Sequence, residues 1–425
     1  MRILFTPVAA TATPLFHLVP LAWAFRAAGH EVRVAVLPDL AQAVTATGLP
    51  VAEVGRDYKI MDGVIASRGG HRVIEAPASE WTRSGLASAD GAATAPAPAD
   101  QAGLADLRNA AMAPLVEGAA RMTPDLLRFA ERWRPDLVVS DSMVFAAPIV
   151  AARLGIPLVR HTWGPDVMRM ISQPLQGFSD AGDVRGQWPV GLPELYDHYG
   201  VEVRNDHPQR TVDPWPTSLQ LPGMTGRLPV RFVPYNGSAA VPDWAPDRPA
   251  RPRVCVTWGT STAALAGDEA FVLPRVVDAL AGMDVEVVLA ISAADRVKLG
   301  TLPDNARVAE NVPLHLFMPS CSAIVNQGGT SSLLTAACFG VPQVMMPQTA
   351  DNPFNAANYG ASGAGITLDP TRATNDEIGA AVARVLTDEA CRAAAEKVRE
   401  EIAGTPPPSA VVDSLQALAR ASRIS

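Results

Sequence analysis

Apolar residues fall into short runs along the chain, separated by helix-length stretches of mixed polarity. RILFTPV at the start is one such run, broken by proline. It predicts a strand over residues 2–6 and a loop at 7–13. A helix follows at 15–28 with Gly29 as its stop signal, and the β-branched run VRVAVL predicts a second strand at 32–37. A helical stretch at 105–132, a strand at 136–141, a helix at 146–154 and a strand at 156–163 continue the alternation. Residues 56–105 and 164–250 lack it. The Ala/Ser/Pro/Asp-rich segment 85–103 reads as mobile, and four prolines in 241–252 read as a linker. The alternation then restarts, with strands at 254–259, 285–291, 322–327 and 341–347 and helices at 271–281, 331–339, 376–403 and 409–422. The pattern predicts an α/β protein of two doubly wound halves, each a parallel sheet covered by helices.

Composition agrees with two halves. The 425 residues exceed the roughly 250–300 at which single cores stop growing, and 48% hydrophobic residues supply material for two cores. A net charge of −8 and the lack of any Lys/Arg-rich run disfavour a nucleic-acid partner. Cys255, Cys321, Cys338 and Cys391 form no CxxC pair or Cys/His cluster. The sequence therefore suggests neither a disulfide framework nor a zinc site, and a reducing cytoplasm fits. The apolar start could pass for a signal peptide, but Pro7, Pro14 and Pro20 interrupt it and a second strand follows. No stretch reaches the roughly 20 uninterrupted apolar residues of a membrane span.

In open parallel sheets, ligands bind beyond the carboxyl ends of the strands. That singles out the loops 7–14, 141–145, 259–264, 327–332 and 348–355. WGTST (258–262) and NQGGTSS (326–332) suit a diphosphate. Glycine lets phosphate approach the backbone, the first helical N–H groups favour negative charge, and Thr330, Ser331 and Ser332 add hydroxyls. The plainer alternative is a tight turn at Gly328-Gly329 with Ser331 or Ser332 capping a helix. In PQTADNPFNA (347–356), Asp351 and Asn352 could read vicinal sugar hydroxyls, with Asn355 one turn on; alternatively Asp351 caps a helix. There is no GxGxxG after the first strand and no GxxxxGK[ST], so a nicotinamide site and a P-loop are not supported.

VPLAWAFRAAGHEVRVA (19–35) resembles the opening of actinomycete natural-product glycosyltransferases of family 1, which decorate macrolides and aromatic polyketides. RPDLVVSD, VCVTWGTS, NVPLHLFMPSCSAIVNQGGTSSLLTAACFGVPQVMMPQ and ADNPFNA continue the resemblance in order through both halves. It implies a GT-B fold, two Rossmann-like domains facing a central cleft. The implied parts are an acceptor domain over 1–225, a linker over 226–252, a donor domain over 253–405, and a helix in 406–425 packing back on the first domain. It also implies sugar transfer with inversion from a dTDP-linked deoxysugar to a hydrophobic aglycone, without metal or cofactor, and leaves room for a helper protein or a homodimer. The implied donor residues are Gly259, Thr260, Val312, Gln327, Gly328, Gly329, Thr330, Ser331, Asp351 and Asn352. Phe16, Met143, Trp163 and Met168 would face the acceptor, within a Trp- and Met-rich set that equally suits a core.

The sequence departs from the family where chemistry is expected. Pro14 stands where many relatives place a histidine before the first helix, and Asn326-Gln327 replaces their His-His. Inverting transfer needs an acceptor freed of its proton and a stabilised leaving diphosphate. Asp141, at the end of LVVSD, is the expected base, although it could instead cap the next helix. A carboxylate of pKa near 4 would favour an ionisable acceptor such as a phenol. His17, one turn beyond Pro14, is the second candidate, expected rather as a half-buried helix residue beside Val19 and Pro20; His161 is a third. The alternative to an enzyme is a catalytically silent homologue acting as an accessory partner.

Overall fold

The computed structural model describes all residues except 10–11, 56–57, 61, 64–97, 167–184, 222–223, 225, 260–270, 349–350 and 423–425. The apolar runs become the strands of two parallel sheets. The first half contains β1 (Arg2–Thr6), α1 (Ala12–Ala27), β2 (Glu31–Val36), α2 (Pro38–Ala46), β3 (Val51–Glu53) and α3 (Pro98–Trp133). It continues with β4 (Leu137–Asp141), α4 (Ala146–Leu154), β5 (Leu158–His161), α5 (Leu192–His198), β6 (Arg210–Asp213) and β7 (Arg227–Pro229). Its strand order is β3-β2-β1-β4-β5-β6-β7. The second half contains β8 (Arg253–Thr257), α6 (Leu273–Leu280), β9 (Glu286–Ile291), α7 (Ala293–Lys298), β10 (Ala306–Glu310), β11 (Ala323–Asn326) and α8 (Thr330–Cys338). After these come β12 (Gln343–Met345), α9 (Asn352–Ala361), β13 (Gly365–Thr367), α10 (Asn375–Thr387), α11 (Glu389–Gly404) and α12 (Pro408–Ala421). Its strand order is β10-β9-β8-β11-β12-β13. In both sheets the chain winds outward from the middle in two directions. β4 and β8, buried along their whole length, are the near-continuous apolar strands that two helix layers require.

Four expectations are corrected. α1 begins at Ala12, three residues before the predicted start, so Pro14 falls in its first turn, where a missing N–H costs nothing. The helix expected over 376–403 is two helices, α10 and α11. Asp388 between them is extended and its carboxylate accepts the N–H groups of Ala390 and Cys391, capping α11. The stretch expected to be irregular, 164–250, supplies α5, β6 and β7. Of the segment read as mobile, residues 98–103 belong to α3 and the rest lies outside the described residues.

The chain crosses between the halves twice, and the crossings are tied together. After β7, the Arg231 N–H donates to Pro406 O at 2.7 Å and its Nε to Thr405 O at 3.1 Å. α12 then packs on α1, burying Val411, Val412 and Leu415 in the core of the first half.

Candidate functional site

The carboxyl ends of β8 and β11 and the amino ends of α8 and α9 form one wall of the cleft. Asn326 ends β11 fully buried. Its Oδ1 accepts the Gly328 N–H at 2.6 Å and its Nδ2 donates to Gln343 Oε1 at 2.9 Å. This holds the turn in which Gly328 adopts φ +78°, and a β-carbon there would sit 3.0 Å from Asn352 O. The buried Gln327 amide lies against two more glycines. A β-carbon on Gly259, itself at φ +65°, would collide with Gln327 Nε2, and one on Gly329 would approach it to 2.8 Å. Gln327 Oε1 has no partner. Gly329 precedes α8 without side-chain capping, so the first-turn N–H groups have no side-chain acceptor there. One position on, Thr330 donates to Asp351 Oδ2 at 2.7 Å, and Asn355 Nδ2 donates to the same oxygen at 2.7 Å and to Gly328 O at 3.0 Å. Burial pushes the Asp351 carboxyl up, opposed by these two partners. Asn352 is buried at the start of α9, and Val312 packs half-buried against the apolar cluster that contains Leu314 and Phe317. Thr260 and Met168 lie outside the described residues.

The opposite wall comes from β1, β4, β5 and α1. The register sets Thr6 beside Ser140 and Asp141 beside His161. Asp141 is 3% exposed; Oδ1 accepts the Met143 N–H at 2.7 Å and Oδ2 has no partner. Burial lifts its carboxyl to about 7, against the opposing pull of the Met143 N–H, Trp163 and Arg160. The Trp163 indole N–H leans on this carboxylate without closing a hydrogen bond to it. Burial lowers His161 to about 4, and its Nδ1 is unpartnered. His17 differs from its expectation: with α1 starting early, it is 5% exposed and reaches the other wall, Nε2 lying 3.0 Å from Ser331 Oγ. Burial, then the neighbouring His161, lowers His17 to about 3. Phe16 packs edge-on to Tyr235 at 5.3 Å. Met143 lines a cavity of about 20 Å³, and Asp141 one of about 60 Å³ shared with Arg160, Trp188, Tyr196 and His207. A carboxyl near 7 is a stronger base than the value near 4 expected from the sequence.

The walls meet closely. A β-carbon on Gly164, just beyond β5, would lie 3.0 Å from Thr330 Oγ1 and 3.7 Å from Asp351 Oδ2. Sequence reasoning missed Gly164, Thr6 and the His17–Ser331 contact. The one available signal was the glycine in HTWGP at a strand's carboxyl end. Among the described residues, no group of three or more His, Cys, Asp or Glu is placed to hold a metal, and no helix is long and apolar enough to cross a membrane.

Two Rossmann-like halves, with a glycine-lined helix start facing a buried carboxylate and two imidazoles, define a glycosyltransferase of the GT-B fold. The chain belongs to the EryCIII-like family: the N-terminal domain of erythromycin biosynthesis protein CIII-like proteins matches residues 23–259 and the C-terminal domain residues 274–418. It is 36% identical to the 10-deoxymethynolide desosaminyltransferase of Streptomyces venezuelae, over 100% of this chain and 98% of that one. It is 35% identical to the 3-alpha-mycarosylerythronolide B desosaminyl transferase of Saccharopolyspora erythraea, over 100% and 99%. The glycosyltransferase VinC, solved in complex with dTDP, matches with a TM-score of 0.79 at 29% identity, covering 99% of this chain and 100% of VinC. These relatives are transferases, so the silent alternative finds no support.

Proposed function

We propose that this glycosyltransferase moves a deoxysugar from a dTDP-linked donor to a hydrophobic polyketide-type acceptor, with inversion at the anomeric carbon. The observation that carries the reading is the start of α8, where uncapped N–H groups, Gly328 and Gly329 and the Gln327 amide converge on one spot. A diphosphate there meets helical N–H groups and the positive end of the helix dipole. The Thr330–Asp351–Asn355 network beside it presents a carboxylate and amides to the sugar hydroxyls. Relatives named as desosaminyltransferases of 10-deoxymethynolide and of 3-alpha-mycarosylerythronolide B, and VinC with dTDP, support the substrate classes.

On the other wall, Thr6 Oγ1, His17 Nδ1, Asp141 Oδ2, His161 Nδ1 and Trp163 Nε1 are buried without partners. Buried polar atoms are rarely left so, and a group of them suits a polar ligand atom. Asp141 takes the proton of the acceptor nucleophile, the nucleophile attacks the anomeric carbon, and the carbon–oxygen bond to dTDP breaks, its electron pair leaving with the diphosphate. Phe16, Met143 and Trp163 would contact the acceptor's apolar body. Four free cysteines support a cytoplasmic setting. Calorimetric titration with dTDP tests the donor site. Saturable binding is expected, and no heat with dTDP or UDP at millimolar concentration would overturn the reading.

A further inference from the structure

His17 and Ser331 are the point at which a titratable side chain of one half touches the proposed donor site of the other. Ser331 is the second residue of α8, on the turn whose N–H groups face the diphosphate in the function proposed above. Its Oγ lies 3.0 Å from His17 Nε2, while His17 Nδ1 is buried with no partner and the ring packs against Phe232 at 5.0 Å. Burial and His161 keep this imidazole neutral, so it carries one proton.

Two arrangements of that proton are possible. With the proton on Nδ1, a buried N–H has no acceptor, and Ser331 spends its only proton on the imidazole, turning a lone pair toward an anionic ligand. With the proton on Nε2, the ring donates to Ser331 Oγ, the unpartnered atom is an acceptor, and the serine proton is free. Orphaned buried donors are rarer than under-satisfied acceptors, and a hydroxyl can accept one hydrogen bond while donating another. We assign the proton to Nε2 on these grounds.

We propose that His17 is a positioning residue for the donor: it donates Nε2–H to Ser331 Oγ and so aims the serine O–H at a phosphate oxygen of the nucleoside diphosphate held at the start of α8. A donor chain of this kind polarises its terminal O–H. The acceptor half thereby contributes to donor affinity, and the contribution exists only when the two halves are together. The inference rests on the reading that α8 holds the diphosphate.

The test is a double-mutant cycle on dTDP affinity, measured by calorimetry on variants first shown by thermal melting to be folded. His17→Ala is expected to raise the Kd for dTDP roughly 5-fold or more, Ser331→Ala to do much the same, and the double variant to be no weaker than the weaker single. His17→Gln, whose side-chain N–H can reach Ser331, should recover most of the affinity. In turnover, the donor KM should move more than kcat. Should His17→Ala not fold, His17→Asn, too short to reach Ser331, takes its place. Additive losses in the double variant, or an unchanged Kd with a collapsed kcat in the His17 variant, would overturn the proposal. Failure of the unmodified protein to bind dTDP sinks the donor-site reading itself and is told apart by that control.

Discussion

The two walls of the cleft differ in how they handle buried polar groups. On the donor wall, Asn326, Thr330, Asp351 and Asn355 are stitched into hydrogen bonds beside three closely packed glycines, and among these side chains and Gln327 only Gln327 Oε1 and Asn355 Oδ1 are left over. On the acceptor wall, five polar atoms on β1, α1, β4 and the β5 end are buried and unpartnered. A rigid wall suits a ligand group that every turnover presents unchanged, the nucleotide diphosphate. A wall of unspent hydrogen-bonding capacity suits a reacting atom that changes its proton and its bonds. In the function proposed above the donor wall holds the diphosphate, with His17 reaching across to it, and the acceptor wall carries the proton transfer; each half of that proposal can be broken separately.

The largest effect is expected at Asp141. Asp141→Asn should lower kcat by about 10²-fold or more, within the range of general-base contributions, and leave dTDP affinity intact. The carboxyl is raised to about 7 by burial, and the base acts only when ionised. For the unmodified enzyme, kcat/KM should therefore climb as pH rises through about 7, and the Asn variant should lose that step. An Asn variant that is folded and nearly as fast would remove chemistry from this wall.

On the donor wall, Gly328→Ala asks whether rigidity matters. A left-handed φ and the nearby Asn352 carbonyl should together cost about 1–2 kcal/mol of stability, read as a lower Tm, with dTDP binding weakened alongside. An Ala variant with normal melting and binding would show that the turn is not under constraint. Gln327→Ala should weaken dTDP by about 1–2 kcal/mol, the scale of a hydrogen bond to a charged group. Because an amide does not titrate, no step in donor affinity near pH 6.5 should depend on it. The smallest effect is no effect: turnover should persist in EDTA, and activity lost to the chelator and restored by Mg²⁺ or Mn²⁺ would bring a metal into the donor wall.

Much of this was legible because local chemistry dictated it. The strand at Arg2–Thr6 and the helix at Ala146–Leu154 follow directly from apolar run length and stop signals. The GGT turn was legible because few residues besides glycine tolerate that backbone. What stayed hidden depends on contacts distant in sequence. β6 is short and polar at its start. Its Asp213 is tolerated because Arg227 pairs with it at 2.7 Å, Thr162 and Gln220 donate to it, and the Trp215 N–H closes the set. The break at Asp388 hid because Asp is acceptable inside a helical pattern, and only its capping of Ala390 and Cys391 reveals a new start. His17 was misjudged for a related reason. Its burial comes from the other half, where Ser331 and Phe232 close over it, and Pro14 looked like a loop residue when it was a first-turn one.

The tie between Arg231 and the Thr405–Pro406 backbone has a mechanical consequence. The two crossings run side by side and are held together by hydrogen bonds, so the chain re-enters the first half where it left it, and α12 then lies on α1. α1 is also the helix that carries His17 across to Ser331. One joint therefore underlies both the link between the halves and the helix that makes the contact across the cleft.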